Sequence, residues 1–151
     1  MRRIRLIIPF LVIIVLQCSC VLLDKIVKLE GSSMEPNFHA GQVFRIEIIS
    51  PADLKRGDLI LYKFNNSSMF IQRVVGLPNE TVEIRNGQIV INGEPLVEPY
   101  QVMAPSYTMK EKSLGKNEYF MLGDNRESSA DSHVLGPVKW DQILGRAIPM
   151  D

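Results

Sequence analysis

The segment Gly123–Ser132 contains the highest density of chemically active side chains in this sequence. It reads Gly-Asp-Asn-Arg-Glu-Ser-Ser-Ala-Asp-Ser, with acids, hydroxyls and one arginine and almost nothing apolar. The run Tyr119–Leu122 that precedes it is apolar and strand-like. Polar groups at the end of a buried strand are costly unless they satisfy one another or do chemistry. This segment is therefore the first candidate for a functional site.

Two further motifs add a hydroxyl and an amide. Ser33–Pro36 reads Ser-Met-Glu-Pro and offers a serine that could act as a nucleophile, although a polar turn before a strand has a similar composition. Gln72 is followed by Arg73–Pro78, which reads Arg-Val-Val-Gly-Leu-Pro. A serine hydroxyl is a weak nucleophile until a neighbouring group takes its proton, so the residues that face Ser33 decide what it can do.

Together the three motifs resemble those of the type I signal peptidases, a family of membrane-bound serine proteases. Gly31, two residues before Ser33, is similar to the Gly-x-Ser-Met of the Gram-positive branch. The resemblance implies that Ser33 stands at the nucleophile position and that its N–H contributes to the oxyanion hole. It also implies a lysine base, kept neutral by burial, at the position that Gln72 occupies. Because an amide has no basic lone pair near pH 7, the sequence predicts an incomplete Ser-Lys dyad.

The resemblance also assigns supporting roles to the polar motif. In the family, the serine that matches Ser129 orients the lysine, and the acids that match Asp124 and Asp131 form ion pairs with nearby arginines. We expect Arg126 and Arg73 to form these pairs here, and Ser129 to bond the amide at position 72 and preserve the shape of the site. The resemblance implies no metal and no cofactor. The expected supporting residues are Ser129, Asp124, Asp131, Arg126, Arg73 and Gly123.

Three other residues are candidate bases for Ser33. Lys63 lies on the strand predicted to neighbour that of the amide, where an outward-facing strand lysine is the simpler interpretation. The two histidines are His39 and His133. The endoplasmic-reticulum branch of the family uses histidine in place of the lysine, so a Ser-His pair is chemically reasonable. Neither histidine occupies the lysine position, however, and His133 stands where an arginine commonly ends the polar motif.

The sequence begins with a basic stretch and continues with an apolar one. Residues 6–23 carry no charge, and a helix of this length would extend roughly 27 Å, close to the thickness of the hydrocarbon core. The arginines within residues 1–5 predict a cytoplasmic N-terminus. The predicted organisation is a basic N-terminus at 1–5, a transmembrane signal anchor at 6–23 and an extracytoplasmic signal-peptidase-like domain at 24–151.

Two other interpretations of the apolar run remain open. A cleaved signal peptide usually has a shorter apolar region and a small-residue site of the Ala-x-Ala type, and neither is obvious here. A lipoprotein signal would use Cys18 or Cys20 and lacks the residues expected before such a cysteine.

The rest of the sequence has the pattern of a mainly β protein. Apolar residues alternate with polar ones over short runs, and turn residues separate the runs. Asn86-Gly87 fits the type I′ turn of a hairpin, and residues 95–118 are expected to form a loop. We therefore predict a signal-peptidase-like antiparallel β-sheet domain on one N-terminal transmembrane helix. The predicted strands are Val43–Ile49, Leu59–Phe64, Met69–Val75, Thr81–Arg85, Gln88–Ile91 and Tyr119–Leu122.

Three functions follow from these observations. The first is a membrane-anchored protein that binds extended segments with small side chains but does not cleave them. Dyad-lacking relatives in Gram-positive bacteria assist pilus assembly beside sortases, so the resemblance implies the membrane, signal-peptide-bearing preproteins or pilin subunits, and a sortase as partners. The second is an active type I signal peptidase in which Ser33 uses an unconventional base, and the third is a tethered β domain with a vestigial groove. The formal net charge is zero, which gives no reason to expect nucleic-acid binding.

Overall fold

The computed structural model of this protein describes residues 25–65 and 67–150. These residues form a seven-stranded and a four-stranded sheet, both with antiparallel pairing, so the predicted mainly β fold is confirmed. Within this described part no helix is long and apolar enough to span a membrane. The signal anchor predicted at 6–23 lies outside the described residues and stays a prediction.

The larger sheet has the order β1-β2-β11-β3-β4-β9-β10, and the smaller sheet has the order β7-β6-β5-β8. One short helix, α1, covers Ser132–Leu135 after the polar motif. The strands are β1 Lys25–Lys28, β2 Val43–Glu47, β3 Leu59–Lys63, β4 Met69–Gly76, β5 Thr81–Arg85, β6 Gln88–Ile91, β7 Glu94–Pro95, β8 Met109–Ser113, β9 Glu118–Leu122, β10 Val138–Lys139 and β11 Ile143–Pro149.

Apolar side chains cover both faces of the larger sheet at its centre. On strand β3, Leu59 and Leu61 pack into a cluster that also contains Met34. Ile60 and Tyr62 point to the opposite face, because successive side chains of a strand alternate, and they pack with a second cluster. Burial on both faces explains why β3 is continuously apolar, whereas β2 alternates between buried and more exposed residues.

The predicted Asn86-Gly87 hairpin is present, and the strands of Lys63 and Gln72 are neighbours as predicted. Strands β3 and β4 pair so that Ile60 is opposite Gln72, which places Gln72 in the middle of the larger sheet. Strands β5 and β6 pair around Asn86 and Gly87, whose φ angles are 51° and 74°. Positive φ at both turn residues is the signature of a type I′ turn, so that prediction is confirmed.

Three parts of the fold differ from the prediction. The region 95–118 is not a loop throughout, since β8 pairs with β5 as an edge strand; its Lys-Glu-Lys sequence is exposed and therefore shows no apolar alternation. Strands β1 and β11 were also not predicted, although β11 lies between β2 and β3. The strand predicted to extend to Ile49 ends at Glu47, just before the turn at Pro51.

Candidate active site

Ser33 lies in the connection between β1 and β2 and is half-buried. The next side chain, Met34, is fully buried in the apolar cluster beneath the connection and anchors it. The Ser33 carbonyl accepts a hydrogen bond from the N–H of Asn125 at 3.0 Å, and the Asn125 amide donates to the Ser32 carbonyl at 3.3 Å. The serine motif is therefore fixed against the polar motif that follows β9.

Ser33 and Gln72 line the same cavity, which has a volume of about 330 Å³. A second cavity of about 450 Å³ adjoins it and shares Glu30, Ser33 and Phe70 with the first. Within the described residues the Ser33 hydroxyl has no hydrogen-bond partner. The structure thus brings the two halves of the expected dyad to one cavity and leaves the hydroxyl unengaged.

The Gln72 side chain is buried, with 1% of its surface exposed, and both the oxygen and the nitrogen of its amide are hydrogen-bonded. Its oxygen accepts from the hydroxyl of Tyr62 at 2.5 Å, and its nitrogen donates to Ser129 Oγ at 3.2 Å and to the carbonyl of Ala130 at 2.8 Å. An amide nitrogen carries two hydrogens, so none is left for Ser33. Burial raises the pKa of Tyr62, which keeps its hydroxyl protonated as a donor to Gln72.

Arg73 and Asp124 form the buried ion pair that the sequence suggested. Arg73 Nε and Nη2 reach the two carboxylate oxygens of Asp124 at 2.8 and 2.6 Å, and Nη1 donates to the carbonyl of Gly57. The amide of Asn37 also donates to Asp124, at 2.7 Å. Because Asn37 follows the serine motif closely, Asp124 connects strand β4 to the segment that carries Ser33.

The expected pairing of Arg126 with an aspartate was wrong. Arg126 is buried and pairs with both oxygens of Glu98, at 2.6 and 3.1 Å, and its Nε donates to the Gly123 carbonyl at 2.8 Å. Glu98 belongs to the region that the sequence assigned to a loop, and no local pattern marked it as a partner. Only the tertiary fold brings it to the motif.

Asp131 does not pair with any arginine of the described residues either. It contacts His133 Nδ1 at 2.6 Å and accepts hydrogen bonds from the N–H groups of His133 and Gly123, both at 3.1 Å. The first of these backbone bonds caps the N-terminus of helix α1. Asp131 and His133 therefore hold the end of the polar motif, and Tyr107 stacks on the imidazole at 4.2 Å between ring centroids.

None of the alternative bases lines the cavity that holds Ser33 and Gln72. Lys63 is exposed and lines a separate cavity, while the side chain of His39 is 71% exposed and lies 3.6 Å from Glu35. His133 is held by its aspartate. The sequence argument did not consider Lys28, which is exposed and lines the adjoining 450 Å³ cavity but not the cavity shared by Ser33 and Gln72.

Gly123 packs closely against the serine motif and Ser129. A Cβ atom there would lie 2.5 Å from the Ser33 carbonyl oxygen and in hard contact with Ser129 Oγ. We expect Gly123→Ala to lower the free energy of unfolding by about 1–3 kcal/mol, as overpacking does. Urea denaturation of the two proteins measures the difference. Gly115→Ala, where the nearest atom is the flexible end of Glu118 at 3.3 Å, is the matched control with an expected change of about 0.5 kcal/mol or less.

Comparison with known proteins agrees with the geometry. The family model described as signal peptidase, peptidase S26, matches residues 1–150. Signal peptidase I from Leptolyngbya laminosa is 41% identical over 103 residues, which cover 62% of this chain and 51% of that protein. Signal peptidase I V from Bacillus subtilis (strain 168) is 34% identical over 134 residues, covering 78% and 80%.

A solved structure shows the same likeness. The crystal structure of a signal peptidase I from Enterococcus faecalis V583 aligns with a TM-score of 0.53 and 29% identity, covering 62% of this chain and 96% of that chain. The chain spans about half the length of two relatives it matches, 51% of the Leptolyngbya laminosa protein and 58% of the probable signal peptidase I-2 from Synechocystis sp.. By the match over nearly its whole length, the chain belongs to the type I signal peptidase family, peptidase S26.

Proposed function

We propose that this chain binds an extended polypeptide segment in the groove beside Ser33 and does not cleave it. The proposal rests on the hydrogen bonds of Gln72, a buried amide whose nitrogen donates to Ser129 Oγ and to the Ala130 carbonyl. A neutral amide at the position of the base can hold the shape of the site but cannot accept the serine proton.

The rate expected without a base is very low. Loss of the activating base of a serine hydrolase costs on the order of 10⁴ to 10⁶ in rate. Among the residues that the structure describes, no lysine or histidine lines the cavity shared by Ser33 and Gln72. The one charged residue that lines it is Glu30, whose side chain is exposed.

The groove has features that suit an extended segment. Strand β1 is an edge of the larger sheet, and residues Val27–Glu30, at its end and just after it, line the 450 Å³ cavity. An extended peptide can add to such an edge through its backbone, while its alternate side chains enter cavities. Phe70 and Ile71 contribute apolar surface to this cavity, which Glu30 and Ser33 also line. The resemblance to signal peptidases implies a segment with small side chains as the ligand.

The proposed partners follow from the family. Signal-peptide-bearing preproteins at a membrane are the substrate class of signal peptidases, and the chain is proposed to be anchored by residues 6–23, with its N-terminus in the cytoplasm and the β domain outside. We propose an accessory role in assembling surface proteins or pili, with pilin subunits and a sortase as partners. This role rests on the resemblance to relatives that lack the dyad.

The test uses the full-length chain in detergent and a fluorescent peptide with an Ala-x-Ala cleavage site. We expect saturable binding by fluorescence anisotropy and cleavage at least about 10⁴-fold slower than that of a lysine-containing signal peptidase I. Ser33→Ala should leave both results unchanged. Efficient cleavage that Ser33→Ala abolishes would instead establish an active peptidase with an unconventional base, which Lys28→Ala and Lys63→Ala would then identify.

A further inference from the structure

The irregular segment from Glu98 to Tyr107, called the strap below, contacts Arg73, the polar motif and Asn37, the residue that follows the serine motif. We propose that Glu98 and Tyr100 in the strap are positioning residues, which fix the Arg73–Asp124 pair and through it the segment that carries Ser33. The strap thereby sets the affinity of the groove for an extended peptide. This inference rests on the proposed function for its binding readout.

Tyr100 covers the face of the Arg73 guanidinium. The centre of the guanidinium lies 3.8 Å from the centroid of the Tyr100 ring, within the range of a cation–π contact. The edges of the same guanidinium are bonded to Asp124 and to the Gly57 carbonyl. Arg73 is therefore restrained in its own plane by hydrogen bonds and perpendicular to that plane by the Tyr100 ring.

Glu98 connects this contact to the polar motif. Its Oε1 accepts from the Tyr100 hydroxyl at 2.8 Å and from Arg126 Nη2 at 2.6 Å. Burial and the nearby Glu98 charge raise the pKa of Tyr100, so its hydroxyl remains a donor. Arg126 in turn donates to the Gly123 carbonyl. One carboxylate thus aligns the aromatic ring of the strap and the first turn of the polar motif.

The backbone of the strap completes the connection to Ser33. Met103 exchanges hydrogen bonds with the polar motif, since its N–H donates to the Asp124 carbonyl at 2.9 Å and its carbonyl accepts from the Arg126 N–H at 3.3 Å. The Gln101 carbonyl accepts from the Asn37 amide at 2.7 Å, and the same amide nitrogen donates to Asp124. Asn37 is held between the strap and Asp124, four residues after Ser33.

The strap contributes little to the apolar cores. None of the residues 98–106 belongs to the three apolar clusters of the described chain, and within the strap only Tyr107 packs against one. Its hydrogen bonds are made instead with the polar motif and with Asn37, and its Tyr100 ring covers Arg73. A segment of this kind is expected to affect the order of the site more than the stability of the sheets.

The experiment compares Tyr100→Leu with Tyr100→Phe in the full-length protein. Phenylalanine retains a ring over Arg73, whereas leucine removes it. We expect Tyr100→Leu to weaken binding of the Ala-x-Ala peptide about five- to tenfold and to speed hydrogen exchange at the Asn125 amide by a similar factor. Tyr100→Phe should stay within about twofold of the wild type in both readouts. Amides of strand β5 serve as the control and should exchange at unchanged rates.

A second variant keeps the test decisive. Glu98→Gln retains the side-chain shape and removes the charge, so it should also speed hydrogen exchange at the Asn125 amide. This variant supplies the test if Tyr100→Leu fails to fold. Unchanged affinity and unchanged exchange at Asn125 in a folded Tyr100→Leu protein would overturn the inference. If the wild-type protein binds no peptide, the proposed function fails, and exchange at Asn125 alone then supports or overturns the role of the strap.

Discussion

Replacing Gln72 by lysine is expected to give this chain signal-peptide cleavage, which we propose that the wild-type chain lacks. The amide nitrogen at this position already lies near two oxygen acceptors, Ser129 Oγ and the Ala130 carbonyl, which can orient an amine. Burial at 1% exposure disfavours the ammonium form and lowers the lysine pKa toward neutral. Restoring the base should raise the rate of peptide cleavage by at least about 10⁴-fold.

The pH dependence of the new activity has a definite sign. The neutral amine is the active form, so the cleavage rate should rise with pH through the lowered lysine pKa and then level off. The negative charge of Asp131, which contributes to the raised pKa of Tyr62, opposes the lowering and shifts the rise to higher pH. Rates measured from pH 6 to pH 10 on one peptide would show the transition.

Two controls separate chemistry from folding. Gln72→Lys combined with Ser33→Ala should abolish the new cleavage, and Gln72→Met, which fills a similar volume without a nitrogen, should never show it. A folded Gln72→Lys protein that binds the peptide as well as the wild type and still does not cleave it would refute the view that only the base is missing.

The sequence predicted strands where apolar residues alternate or run continuously, or where a turn has a strong signature. Strands β5 and β6 were predicted with their bounds, because alternating apolar residues flank the Asn86-Gly87 turn. Strand β8 was missed for the opposite reason, since Met109–Ser113 is an edge strand whose side chains are largely exposed. Hydrophobic periodicity reports burial, and an exposed edge strand carries little of it.

The contacts within the site also divide into those that the sequence predicted and those that it did not. The Gln72–Ser129 bond and the Arg73–Asp124 pair join residues inside the recognised motifs, and both are present. The Glu98 partner of Arg126 was not foreseeable, because it lies in a segment without periodicity or motif. Burial of an arginine requires a counter-charge, but only the tertiary fold determines which acid supplies it.

Asp124→Asn is expected to lower the free energy of unfolding by about 3–5 kcal/mol, as removing one member of a buried pair does. The Asp124 carboxylate has no exposed surface and accepts three hydrogen bonds, two from Arg73 and one from Asn37. Asparagine has the same shape, but its amide nitrogen would face one of these donors. It would also leave the Arg73 charge buried at 7% exposure without its partner. Urea denaturation followed by circular dichroism measures the loss.

An exposed ion pair serves as the control that shows whether burial causes the large loss of stability. Glu83→Gln removes the partner of Arg85, at 3.2 Å and with the arginine side chain 51% exposed, and should cost about 0.5 kcal/mol or less. A double variant, Arg73→Met with Asp124→Leu, removes both charges and should recover part of the Asp124→Asn loss while still failing to bind peptide. If Asp124→Asn lowered the free energy of unfolding by less than about 1 kcal/mol, water would have to reach the ion pair. The coupling from strand β4 through Asp124 to Ser33 would then be too weak to fix the groove.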